Sequence, residues 1–134
     1  MSIRTAVRVA ALASWSLLAA CSTAAPVRIP AGQSYIAEKK SFDGDLKAFA
    51  SQVTIDTILS HPGAKLVSSV PFPGCEGNAG LMTLDLPKSS PPSVLLLGFT
   101  VRNFSSVTAS YTRPRGAAAD PAVTTAMHSV ICQV

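Results

Sequence analysis

Polar and apolar positions divide the chain into one long apolar run and a periodic remainder. Val9 to Ala20 is apolar apart from the small Ser14 and Ser16. At roughly twelve residues it is short of the about 20 that a membrane-spanning helix needs. Beyond it the pattern becomes periodic. Leu46, Phe49, Ala50 and Val53 recur at three- and four-residue spacing, which predicts a helix over Ser41 to Ser60. Ser41 and Asp43 are its candidate N-caps, Asp43 and Asp45 suit the positive end of the helix dipole, and His61-Pro62-Gly63 stops it. A competing signal runs through the second half. Val53, Ile55, Thr57 and Leu59 alternate as a strand would, and Ile55, Ile58 and Leu59 point away from the first apolar face. A helix covered on more than one side explains both facts.

The rest of the chain reads mainly as strand. Lys65 to Val70 is a short strand, Pro71-Phe72-Pro73-Gly74 a turn, and Cys75 to Gly80 its continuation. Leu81 to Leu86 alternates as a half-buried strand does. Pro87 to Pro92 is a loop by composition. Val94 to Phe104 is the most apolar run after the leader, with a central strand in its first half and a reversal at Asn103. Ser106 to Thr112 sets Val107, Ala109 and Tyr111 against small polar residues, completing a hairpin, and Arg113-Pro114-Arg115-Gly116 breaks the sheet. Asp120 as N-cap and Pro121 at the first helical position open a last helix, with an apolar face of Val123, Ala126, Met127, Val130 and Ile131. The order helix, strands, helix predicts an α+β fold: a small antiparallel sheet flanked by an N-terminal and a C-terminal helix, with one face open to solvent. The pattern is loosely similar to small α-β-α domains of the PsbP type, a likeness of architecture that carries no function.

The leader assigns the chain to a processing class. Arg4 and Arg8 precede the apolar run, no acidic residue occurs before Glu38, and the run ends Leu18-Ala19-Ala20-Cys21. This is a signal peptide over residues 1–20, and its end resembles the lipobox of bacterial lipoproteins. The resemblance implies lipidation of Cys21, cleavage before it, and anchoring by two or more acyl chains, which hold a protein stably where one chain does not. Ser22, in place of an aspartate, implies an outer-membrane location facing the periplasm. The alternative is cleavage by a general signal peptidase after Thr23-Ala24-Ala25, and Pro26 disfavours it. Residues 21–33 read as a flexible tether, with Pro26, Pro30 and Gly32 and little to bury, and residues 34–134 as a single domain.

Processing changes the charge and cysteine arithmetic. The formal charge of +4 includes Arg4 and Arg8; without them nine basic residues face seven acidic ones, about +2. Those basic residues are scattered, so the chain lacks the stripe that nucleic-acid binding requires. With Cys21 lipidated, Cys75 and Cys132 remain as a disulfide pair suited to an oxidising compartment. Two buried thiols, or reactive or metal-binding cysteines, are the alternatives, and no CxxC motif or paired histidine accompanies either residue.

Catalytic signals are weak. His61 and His128 are the only histidines, they belong to no HExxH array, and there is no G-x-S-x-G elbow. The carboxylates are dispersed, and Glu76, between Cys75 and Gly77, has the least obvious role. Gly74-x-x-Gly77-x-x-Gly80 precedes a strand and therefore reads as tight-turn chemistry, with a ligand-facing loop as the alternative. Tyr111, Arg113 and Arg115 are of the types that anchor interfaces and, with Glu76, are the candidate partner-binding residues. The expectation is a non-catalytic envelope lipoprotein, without cofactor or metal, that recognises an envelope protein or acts as an inhibitor-like partner. A small-molecule or lipid carrier is the first alternative and a small hydrolase using either histidine the second.

Overall fold

The structure is a computed structural model that describes residues 27–133. The residues read as a signal peptide, Cys21 and the first part of the predicted tether lie outside the described residues. The elements are β1 (Ser34–Ser41), α1 (Leu46–Ser60), β2 (Lys65–Pro71), β3 (Ala79–Leu86), β4 (Ser93–Arg102), β5 (Ser105–Pro114) and α2 (Pro121–Ile131). The five strands form one antiparallel sheet in the order β1-β5-β4-β3-β2. Strands β2 to β5 are a meander that returns to β1, and α1 carries the chain from one edge of the sheet to the other. The α+β architecture is as the sequence predicts, except that a strand precedes the first helix.

Period-two alternation gives each sheet face its own core. On one face Met82, Leu84 and Leu86 of β3 and Leu95, Leu97 and Phe99 of β4 pack with Phe49, Leu46, Ala50 and Val53 of α1. On the other, Ala79, Val107, Ala109 and Tyr111 pack with Val123, Met127 and Ile131 of α2. The helices therefore cover opposite faces, which corrects the expectation that both lie on one. Gly98 lets α2 approach closely: a Cβ there would meet the Phe72 ring at 2.8 Å and Ile131 at 3.1 Å.

Helix α2 begins as its sequence predicts. The Asp120 side chain accepts the Val123 N–H at 3.2 Å, and Pro121 takes the first helical position. Helix α1 starts about a turn later than predicted. Ser41 is spent in the ladder opposite Ser105, Phe42 N–H donates to the Phe104 carbonyl at 2.9 Å, and Asp45 caps the helix by accepting the Ala48 N–H at 2.8 Å. The run rich in β-branched residues stays helical. The Thr54 and Thr57 hydroxyls donate to the Ala50 and Val53 carbonyls at 2.7 and 2.6 Å. The tether reading needs correcting too. Val27 and Ile29 pack against the α2-side core, and Gln33 accepts a hydrogen bond from the Tyr111 hydroxyl, so residues 27–33 belong to the domain.

Candidate functional site

Cys75 and Cys132 form a disulfide with their Cα atoms 5.5 Å apart, closing 57 positions of sequence separation. It ties the turn after β2 to the C-terminal cap of α2. Arg102 reinforces this end by donating to the Val130, Ile131 and Gln133 carbonyls at 2.9, 3.1 and 3.2 Å, satisfying acceptors that a helix leaves open at its C-terminus.

The candidate partner-binding residues all make contacts inside the domain. Tyr111 is fully buried; its hydroxyl donates to Gln33 and accepts the Asp120 N–H at 2.9 Å, joining the chain's entry to the start of α2. It is therefore a core residue with no surface to offer a partner. Arg113 stacks over the Tyr111 ring at 5.7 Å and donates to the Ala117 carbonyl at 3.0 Å. Arg115 makes a two-pronged ion pair with Asp85, at 2.8 and 2.6 Å, and these hydrogen bonds hold the Asp85 carboxyl below its ordinary range. Glu76 accepts the Gly74 N–H at 3.0 Å, which lowers its own pKa and closes the turn where Gly74 sits at φ +97°. This favours the tight-turn reading of the glycine-rich segment, and the structure does not gather the four residues into one surface.

Two other surfaces stand out; the sequence pattern marked the outward Ile55, Ile58 and Leu59 of the first and gave no sign of the second. The first is apolar. Ile55, Ile58 and Leu59 on the second half of α1 are 60, 41 and 74% exposed. Leu66, Val67 and Val70 on edge strand β2 are also largely exposed, but Leu66 pairs with Leu84 and Val70 with Leu81, on opposite faces of the sheet, so they do not extend this patch as one face. No second layer among the described residues covers this side of α1, contrary to the expectation of a helix covered on more than one side. The second is a groove of about 500 Å³ between α1 and the β5–β1 half of the same sheet face. Ser106, Thr108, Ser110 and Thr112 of β5 form its floor beside Ser34, Ile36, Glu38 and Lys40 of β1, and Gln52, Asp56 and His61 line its helical wall.

At the β4–β5 turn, Asn103 and Phe104 adopt φ of 52° and 59°, and Phe104 is 77% exposed. Two-residue turns of this hand favour glycine, and a bulky side chain there carries strain. The signal available in the sequence was an aromatic residue where the turn asks for glycine.

His61 forms the C-cap of α1 through its backbone, and His128 packs against Phe72 with ring centroids 6.2 Å apart. Among the described residues neither ring joins a serine and a carboxylate in a hydrogen-bonded array, and no group of three or more His, Cys, Asp or Glu side chains is placed to hold a metal. No described helix is long and apolar enough to cross a membrane. No protein-family model matches the chain, and comparison with curated proteins finds no significant match.

Proposed function

We propose that this chain is a lipid-anchored bacterial envelope protein whose folded domain is a non-catalytic module for binding a protein partner. The observation that carries the binding role is the outer side of α1, where Ile55, Ile58 and Leu59 expose large apolar side chains with no cover among the described residues. Burying such side chains against a partner yields about 25 cal/mol per Å² of apolar area. The lipid anchor rests on the Leu18-Ala19-Ala20-Cys21 resemblance and supplies localisation and effective concentration.

Two experiments test the halves separately. Cys21→Ser should leave unprocessed or soluble product; unchanged membrane fractionation sinks the anchor. A photo-crosslinking side chain at Leu59 or Ile58, in intact envelopes, should give one discrete adduct that Ile55→Asp abolishes. The same adduct from a probe at Lys39, or no adduct from any position, sinks the docking surface. The groove favours a second reading, ligand binding, whose chemistry follows.

A further inference from the structure

We infer that the groove between α1 and the β5–β1 half of the sheet binds a neutral, hydroxyl-rich chain, a glycan. It is a different surface from the apolar one assigned to protein docking, so the two assignments stand or fall separately.

The floor is a grid set by strand register. Hydroxyl-bearing Ser106, Thr108, Ser110 and Thr112 face the groove at every second position of β5, giving a row about 20 Å long. Their opposite numbers on β1 are Lys40, Glu38, Ile36 and Ser34. Among the described residues the hydroxyls of Thr108, Ser110 and Thr112 take no protein partner. Ser106 is only 5% exposed, and its one contact, to the Lys40 carbonyl, is 3.5 Å long, well beyond the about 2.7 Å of a normal O–H···O bond. A hydroxyl both donates and accepts, so a row of uncommitted ones matches a ligand that also does both along its length.

Charge and shape remove the competing ligand classes. Lys40 lies 3.7 Å from Glu38, and Asp56 adds a second carboxylate to the lining, so the groove has no excess of positive charge for an anionic chain. An extended peptide draws its specificity from pockets for alternate side chains, whereas the β5 half of this floor is a file of short side chains on a sheet face. A lipid chain needs an apolar bed, and Phe49, Leu95 and Leu97 at the base of the groove are almost fully buried, which leaves Ile36, Phe42 and Val53 as the apolar lining within reach. A sugar chain uses both parts: its hydroxyls meet the β5 hydroxyls and the Asp56 and Gln52 side chains, and its C–H faces meet Ile36, Phe42 and Val53.

The test uses the full chain in detergent micelles and saturation-transfer NMR with chitotetraose and maltotetraose as neutral probes and tetragalacturonate as the anionic contrast. Saturation should reach at least one neutral probe. Thr108→Val with Ser110→Ala removes two hydroxyls while keeping strand-compatible side chains, and should weaken that binding at least tenfold, with circular dichroism and the intact disulfide reporting the fold. Asp56→Asn, on an exposed helix position, provides a second variant and should weaken it severalfold. No transfer to either neutral probe, transfer to tetragalacturonate alone, or binding unchanged in both variants overturns the proposal.

Discussion

The two helices cover opposite faces of one sheet but are held in different ways. Helix α2 buries Val123, Met127 and Ile131 at four-residue spacing, is tied through Cys132 to the turn after β2, and has its final carbonyls gathered by Arg102. Helix α1 is longer, yet Phe49 and Thr57 are its only buried residues, no crosslink reaches it, and Ile55, Ile58 and Leu59 face outward. Both have an aspartate N-cap. Caps are therefore not what separates them; the difference lies in what each does with its apolar side chains. One is committed to the core, and the other keeps part of its apolar surface available.

The largest expected effect is on the committed side. Replacing Cys75 and Cys132 together by Ala should cost about 4 kcal/mol of stability by the chain-entropy estimate for a loop of this length, read by denaturant unfolding. Met127→Ala should cost about 3 kcal/mol through loss of packing and the cavity left behind. The caps sharpen the comparison: Asp120→Ala and Asp45→Ala should each cost about 1 kcal/mol, and a large inequality would mean that the helix ends differ after all. Leu59→Asp should change stability by no more than about 0.5 kcal/mol, because 74% of the residue is already in water, while abolishing the crosslink at the docking surface. The smallest effect is the acid response of the Asp85–Arg115 pair. A folded-state pKa lowered by Arg115 gives stability that is present above the unfolded-state value and is lost as pH falls through the folded one. Arg115→Met should flatten that part of the stability-versus-pH curve, with its small loss of stability seen at neutral pH and vanishing in acid.

Legibility in the sequence followed burial. Strands β3 and β5 and helix α2 each have one face in the core, so their periods are written in the residues and were readable. Strand β1 was missed because it is an edge strand: Tyr35 is partly buried while Ile36 and the Ala37 to Ser41 stretch are exposed, leaving little alternation to detect. Its pairing to β5 then displaced the start of α1 from Ser41 to Leu46. The cysteine pair followed from compartment and number, with Cys21 set aside. The surfaces were harder. Periodicity placed Tyr111 in a strand without revealing that its hydroxyl would be spent on Gln33 and Asp120. The serines and threonines of β5 read as a solvent face, because nothing in their spacing says that α1 would stand beside them and make a groove.

The pairing of β1 with β5 also bears on how the molecule is made. Tyr35 finds its partner in Tyr111, and Lys40 in Ser106. Synthesis runs from the N-terminus, so the first strand emerges with no mate until nearly the whole polypeptide has followed, and contacts between such distant positions form late. An orphan ribbon in that interval is a template for aggregation, and Glu38, Lys39 and Lys40 are the kind of charged side chains that discourage it. The same residues that hid this strand from a periodicity search keep it soluble while it waits.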